Sequence, residues 1–409
     1  MNAAGEELGH LFRRESGRLV PALVRLFGLR NLDLAEDVAQ ETLLRAVEVW
    51  KFHGVPDNPA AWLIQTAKNR AIDVLRREKT ARTFAAEVAS EWSLVPTVEE
   101  TFRVEAIRDE ELRMMFTCCH PRLPEEAQVA LVLSILCGFG AREIAAAFMV
   151  STAAVEKRLA RAKVVLAEAP AIFSFNDLRS RLPAVLRALY VLFSEGYHGG
   201  NADDPVRDEL CNEAMRLAAM LREHAAAPET DALLALMSLH AARLPARVRN
   251  GELVAWHEQE RAHWDGALIE QGMRLLSEAA RGDRLSTFHV EAAIAAEHAM
   301  ARSRDDIAWA KIVELYDVLL RLEASPAAAL ARAIAIGEAR GAEDGLRALG
   351  EITDERLSRA PFLDAAQGDM LARLGRVQEA SAAYAAACEK ARSPSERRFL
   401  EHKRASWSS

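Results

Sequence analysis

Trp62, Gln65, Asn69, Arg76 and Arg77 recur at helical spacings along "AWLIQTAKNRAIDVLRREK", residues 61–79. Residues of these types bind rather than break bonds. An aromatic ring stacks on an unpaired base, amides bond base edges, and arginines neutralise phosphates. At 100° per residue, Leu63, Ile64, Ala67, Ala71, Val74 and Leu75 fall on one face, which must be the buried one. The opposite face collects Trp62, Gln65, Thr66, Asn69, Asp73, Arg76 and Arg77. That face is either a solvated charged surface or a single-stranded nucleic-acid surface. A tryptophan and an asparagine placed opposite the core favour the second.

The preceding segment, "DLAEDVAQETLLRAVEVW", has the opposite sign. Asp33, Asp37, Gln40, Glu41, Leu44 and Glu48 share a face away from Val38, Ala39, Ala46 and Trp50. Acids at i, i+4 and i+8 repel by roughly 0.2–0.5 kcal/mol per pair in isolation. The helix N-terminus accounts for Asp33 and Glu36 but not for Asp37 and Glu41. A basic protein partner explains the stripe, and a solvated face explains it about as well. A third segment, "AREIAAAFMVSTAAVEKRLARAKVVL", predicts a short helix ending near Met149 and a second helix capped by Ser151 or Thr152. Val155, Leu159, Ala162 and Leu166 form its core stripe, with Lys157, Arg158 and Arg161 pointing away. This is a helix-turn-helix layout whose second helix fits a major groove.

Other reactive residue types do not assemble. His257 and His263 in "WHEQERAHWD" are six apart, so a helix turns them about 240° away from each other, whereas a zinc-protease pair needs a spacing of four. Cys118, Cys119 and His120 in "TCCHP" lack the spacing of a metal knuckle and read as apolar packing before a turn at Pro121. Glu195 and Tyr197 in "FSEGYHGG" read as a helix terminus. No Ser-His-Asp set, P-loop or dinucleotide fingerprint is present, so neither an enzyme, a metal nor a cofactor is expected.

The elements that must position these faces are helical. The chain has 409 residues, is half apolar, and has few aromatic residues and few β-branched runs. No run approaches ~20 apolar residues, and the N-terminus lacks a signal-peptide layout. Five scattered cysteines make no disulfide framework. A cytoplasmic, all-α protein of two or three domains is expected, with no membrane contact. Its formal net charge of −8 hides local alternation: +4 over 61–82, −4 over 33–50 and −6 over 86–111.

Together these segments resemble the extracytoplasmic-function sigma factors of the sigma-70 family. "DLAEDVAQETLLRAVEVW" is similar to that family's core-polymerase-binding helix. "AWLIQTAKNRAIDVLRRE" is similar to its −10-element helix, with Lys68 where arginine is more usual. "LPEEAQVALVLSILCGFGAREIAAAFMVSTAAVEKRLARAK" resembles its −35-binding domain, although the usual T-V-K-S-R-L-x-R-A-R becomes "AVEKRLARAK" at 154–163. The resemblance implies core RNA polymerase and promoter DNA as partners, with the β′ clamp helices and the β flap as docking points. Asp37, Gln40, Glu41 and Leu44 would meet the clamp. Trp62, Gln65, Asn69, Arg70, Asp73, Arg76 and Arg77 would meet the −10 element, and Lys51 to Pro59 would form a loop capturing a flipped base. Ser151, Thr152, Ala153, Glu156, Lys157, Arg158 and Arg161 would meet the −35 element. The implied organisation is 1–85 for the first sigma domain, 86–108 for an acidic linker and 109–170 for the helix-turn-helix domain.

Residues 171–409 then form a large helical extension of about ten helices. Pro326, Pro361 and Pro394 are spaced by 35 and 33 residues, close to the tetratricopeptide period. In "MLARLGRVQEASAAYAAAC", Leu371, Leu374, Gly375, Ala380, Tyr384 and Ala387 fall where such a repeat places them. "LYVLFSEGY", "LALMSLHAAR" and "RAHWDGALIEQG" resemble the sigma-factor subgroup with a tetratricopeptide-like C-terminal extension. The extension carries −6, so its contacts are expected to be with a protein partner or with the chain itself. An operator-binding regulator and a repeat scaffold with an incidental basic helix are the rival readings. Neither accounts for Trp62 and Asn69 together.

Overall fold

The computed structural model describes residues 3–82, 98–148, 150–168, 175–198, 206–249, 252–254, 256–391 and 394–406. It is built of α-helices, with one two-stranded hairpin among the described residues, and divides into two compact units, 1–191 and 192–409.

In the first unit, α1 (Ala3–Phe27) is the central helix. Leu19, Ala22 and Leu23 are fully buried where α1 meets α2 (Leu32–His53) and α5 (Val104–Cys118). α3 (Pro59–Arg82) packs on α2, and the short α4 (Val98–Thr101) lies beside it. Asn58 caps α3, its Oδ1 accepting from the Ala61 N–H at 3.0 Å, with Pro59 at the first helical position. The helix-turn-helix region comprises α6 (Glu125–Leu131), a π-helical turn over Val132–Leu136, α7 (Ala141–Ala147) and α8 (Thr152–Glu168).

Two glycines mark where this region meets α1. A Cβ on Gly17 would sit 1.8 Å from the Leu136 carbonyl oxygen, so only glycine lets the π turn approach α1 this closely. Gly138 has φ 66°, and a Cβ there would lie 2.7 Å from the Arg13 carbonyl oxygen. The two sigma-like regions therefore form one packed body with a tight seam.

Three expected boundaries differ. α2 runs through Lys51 to His53, so the irregular loop before α3 shortens to 54–58. α5 begins inside the stretch expected as linker, because Phe102, Ile107 and Leu112 have an apolar seat against the first unit's core. Residues 86–97 of that linker lie outside the described residues. The compact boundary falls at 191 rather than 171, since the first part of α9 (Phe175–His198) belongs to the first unit. There Arg181 donates to the Phe116 carbonyl at 3.3 Å and Arg187 pairs with Glu125 at 3.3 Å.

The second unit continues with α10 (Asp208–His224), α11 (Pro228–Ala241) and the short α12 (Leu244–Arg247). A hairpin follows, with β1 (Val248–Arg249) antiparallel to β2 (Glu252–Leu253). Next come α13 (Gly266–Ala279), α14 (Thr287–Met300), α15 (Trp309–Leu322), α16 (Pro326–Arg340) and α17 (Ala342–Gly350). α18 (Glu355–Ser358), α19 (Pro361–Arg373), α20 (Val377–Lys390) and α21 (Pro394–Ser406) complete it. From α14 onward most helices pack on their chain neighbours, the stacking of a helical repeat. Pro326, Pro361 and Pro394 each open a helix, which gives the 35- and 33-residue spacing its physical meaning. Of the residues in that pattern, Ala380, Tyr384 and Ala387 are buried, Leu371 and Leu374 are half-buried and Gly375 is exposed.

Candidate nucleic-acid and polymerase interface

α2 buries Ala35, Val38, Ala39, Ala46 and Trp50 and turns Asp33, Asp37, Gln40, Glu41, Leu44 and Glu48 to solvent. Leu44 is 64% exposed, a high value for a leucine on an otherwise acidic face. Sequence reasoning missed its apolar company. Val47, Phe52 and Val55 are also exposed, Phe52 at 80%. The signal was legible in "WKFHGVPDN", where an aromatic residue stands two positions before a turn glycine.

α3 buries Leu63, Ala67 and Ala71 and exposes Gln65, Asn69, Asp73, Arg76 and Arg77. The Gln65 amide donates to Asn69 Oδ1 at 3.0 Å, so the two base-edge candidates are already held together. Trp62 departs from expectation. It is half-buried, with its ring edge-on to Trp50 at 5.5 Å, and so serves packing as well as surface. Arg70 Nε donates to Glu41, which joins α3 to the acidic stripe. That bond is the main cause holding the Arg70 guanidinium above its ordinary range.

In the helix-turn-helix region, Val155, Leu159, Ala162 and Leu166 are buried as the periodicity predicts. Ser151 Oγ accepts from the Ala154 N–H at 3.2 Å and is the cap of α8, while Thr152 is its first residue. Ala153, Glu156, Lys157 and Arg161 are exposed. Arg158 does not stand clear: it is half-buried and paired with Glu126 at 2.9 Å. Met149 lies outside the described residues.

α8 also reaches α2. Lys163 Nζ donates to Asp33 Oδ1 at 2.9 Å and to Glu36 Oε2. Burial pushes the Glu36 carboxyl up, with Lys163 opposing that shift. Hydrogen bonds to Glu36 and Asp33 raise the Lys163 ammonium against its own desolvation. Beside this clasp, a cavity of about 310 Å³ is lined by Phe12, Arg13, Glu36, Gln40 and Phe139, among others. Arg13 there pairs with Glu143 of α7 at 3.1 Å. The acidic stripe, α3 and the helix-turn-helix are thus linked by ion pairs within one unit.

Cys118 and Cys119 are fully buried, and burial pushes the Cys119 thiol up to about 12. His120 is buried, its Nδ1 accepting from the Arg122 N–H at 3.2 Å and its imidazole lowered by burial. The side chain of His257 lies outside the described residues, while His263 faces Glu260. Among the described residues no group of three or more His, Cys, Asp or Glu is placed to hold a metal ion. Nor is any described helix long and apolar enough to cross a membrane.

Comparison with known proteins matches these regions separately. Residues 11–81 match sigma-70 region 2, residues 113–166 match sigma-70 region 4, and residues 181–280 match a family of unknown function, DUF6596. "Uncharacterized protein R00370" of Rhizobium meliloti (strain 1021) is 38% identical over 386 residues, covering 93% of this chain and 90% of that protein. "Probable RNA polymerase sigma factor RfaY" of Xanthomonas campestris pv. campestris (strain ATCC 33913) is 29% identical over 161 residues, 37% of this chain and 39% of that protein. No solved structure matches the chain. With region 2 and region 4 in that order, followed by a further matched segment, the chain belongs to the sigma-70 family as an extracytoplasmic-function-like sigma factor with a C-terminal helical extension.

Proposed function

We propose that this sigma factor binds core RNA polymerase through the exposed face of α2, melts the −10 element with α3 and reads the −35 element with α8. The observation that carries the reading is Leu44, exposed among Asp37, Gln40 and Glu41. An acidic rim around an apolar anchor fits a basic partner surface with a small hydrophobic pocket. Phe52 and Val55 extend that anchor towards the turn before α3. On α3, Gln65 and Asn69 serve base edges, while Arg70, Arg76 and Arg77 serve phosphates, with Asp73 among them. On α8, Ala153, Glu156, Lys157 and Arg161 serve the major groove, with Ser151, Thr152 and Arg158 at its margin. The acidic segment over 86–108 serves as linker, its last residues opening α5, and the β flap is the second docking point on polymerase.

Geometry adds a requirement. The −35 and −10 elements lie about 25 base pairs apart, roughly 85 Å at ~3.4 Å per step. A compact body of this unit's size has a radius of gyration of about 16 Å. The clasped unit cannot occupy both elements at once, so the Lys163 seam opens on the promoter. The extension, whose tetratricopeptide-like stacking offers protein-binding surface, modulates this step.

The test is promoter-dependent transcription with purified core enzyme, paired with core-binding affinity. Asp37→Lys with Leu44→Ala should weaken core binding by at least tenfold, about 1.4 kcal/mol, while leaving the fold intact. Unchanged affinity in the folded double variant overturns the assignment of α2. A chain ending at residue 191 tests the extension in the same assay, with loss of activity expected.

A further inference from the structure

The second unit holds a cluster that the transcription reading does not use. Arg247 lies over the Tyr197 ring at 4.0 Å, and Tyr197 meets the His240 ring at 5.0 Å. Alongside, Arg261 lies 4.4 Å from the Trp264 ring, with Arg243 on the same ring at 5.3 Å. Trp256 takes a share of both cations, at 5.9 Å from Arg243 and 5.6 Å from Arg261, and meets the His298 ring at 5.1 Å. These residues come from α9, α11, the turns around α12 and the hairpin, and α14.

No carboxylate lies within ion-pair distance of this layer among the described residues. Among the described residues, Arg243, Arg247 and Arg261 make no salt bridge. The charged groups felt by Arg243 include its neighbours Arg247 and Arg261, and the carboxylate acting on Arg261 is Asp306. Arg243 donates its Nε to Gln259 at 3.2 Å, a neutral acceptor, while Arg261 donates to the His298 and Ala299 carbonyls. Burial pulls the Arg243 guanidinium down to about 10 and the His298 imidazole to about 4.

Polar atoms are also left over. Arg247 Nε, Trp256 Nε1 and Trp264 Nε1 are buried without a hydrogen-bond partner, and each can only donate. Tyr197 Oη, His240 Nδ1 and His298 Nδ1 are buried and unpartnered as well. Orphaned donors in one place call for an acceptor. Arg243, Arg247 and Trp256 are partly exposed, whereas the orphaned atoms themselves have almost no accessible surface, so an anion reaches them only as side chains of the layer shift. A purely structural cation–π core satisfies the ring contacts but leaves Arg247 Nε and the two indole N–H groups without an acceptor, and Arg243 and Arg247 without a carboxylate partner.

We propose that this arginine–tryptophan layer is a binding site for a small oxyanion-bearing ligand, a carboxylate or a phosphate ester. Guanidinium pairs bind such groups through charge-assisted hydrogen bonds, and the Tyr197 hydroxyl and indole N–H groups complete the donor set. Residues 181–280, which contain most of the layer, match the family of unknown function, so the site gives that segment a chemical role.

The experiment uses the full chain with 5-fluorotryptophan, titrated separately with inorganic phosphate and with citrate at constant ionic strength. Calorimetry and fluorine NMR report together. Expected is saturable binding of at least one anion that shifts the Trp256 and Trp264 resonances and leaves Trp50 and Trp62 unmoved. The stronger of the two titrants distinguishes phosphate from carboxylate. Arg247→Gln should weaken binding at least about tenfold and Tyr197→Phe about fivefold, whereas Arg304→Gln should change nothing. Tyr197→Phe keeps the ring and removes one oxygen, so it decides the matter if Arg247→Gln fails to fold. Non-saturable responses equal to those of chloride, equal affinity in Tyr197→Phe, or a crystal structure in which water alone bridges the six atoms would each overturn the site.

Discussion

On α3 and α8 of the first unit, Arg76, Arg77 and Arg161 stand exposed on faces whose opposite sides are apolar. In the second unit, Arg243, Arg247 and Arg261 lie partly buried against aromatic rings. The first arrangement keeps cations hydrated, long-reaching and salt-sensitive, which suits a polyanion met at many points. The second dehydrates them beside rings and orphaned donors, which suits one small anion held at short range. On the proposed reading the same residue type serves two kinds of recognition, and burial decides which. Ion pairs separate the units further: Lys163 and Arg70 of the first unit bind acids of α2, while the second unit's layer has none.

The largest effect should come from locking the first unit. Replacing Glu36 and Lys163 with cysteine and bridging them with a short bismaleimide should abolish promoter-dependent transcription by polymerase containing this sigma factor. A loss of at least a hundredfold is expected, about 2.7 kcal/mol. A cleavable bridge should restore activity on cleavage. Full activity of the bridged protein would mean that the closed unit reads promoters as it stands, and the length argument would fail.

A smaller effect separates the two uses of arginine by salt. Arg76→Ala with Arg77→Ala should lower the salt slope of promoter binding by roughly 2, one per lost phosphate contact. Asn69→Ala should reduce strand opening with little change in slope, since it removes a base-edge partner and frees the Gln65 amide. Arg247→Gln should leave the slope untouched. An equal change of slope in the Arg76/Arg77 and Arg247 variants would erase the distinction between the units.

Much of the first unit was legible because its faces are periodic. Val155, Leu159, Ala162 and Leu166 declare a buried stripe at spacings of four, three and four, and α8 buries those residues. Asp37, Glu41 and Leu44 declare an exposed one. Long-range pairings were not legible, because nothing local places Lys163 against residues 130 and 127 positions earlier. Glycines at Gly17 and Gly138 carried that information only as absent side chains. The arginine–tryptophan layer was hidden for a related reason. Tyr197, Arg243, Trp264 and His298 come from separate elements, and each alone reads as a helix end or a turn. The start of α5 was misplaced because Glu105, Asp109, Glu110 and Glu111 continue the acidic run before it, although Ile107, Leu112 and Met115 are what seat it.

The smallest effect concerns pH and sharpens the comparison by its sign. In the second unit, burial holds His298 at about 4, against an ordinary value near 6.5, and lowers His240 as well. An unfolded chain takes up these protons near pH 6.5, whereas the folded one refuses them until well below. Stability from these histidines is therefore complete above pH 6.5 and is lost as pH falls from there towards 4. The slope is at most about 1.4 kcal/mol per pH unit for each histidine. In the first unit, burial lowers His120 in the same sense, but Glu36 and Glu110 are raised, with burial the largest cause in each. Their folded forms hold protons more tightly than the unfolded chain does, so their burial cost falls as pH drops through the range just above 4.5. Hydrogen exchange followed from pH 7 to pH 5 should show protection falling sooner in 206–300 than in 11–53. His298→Phe should flatten the fall in the second unit by removing one proton from the balance. A parallel loss in both units, unchanged by that substitution, would show that the buried histidines do not set the second unit's acid limit.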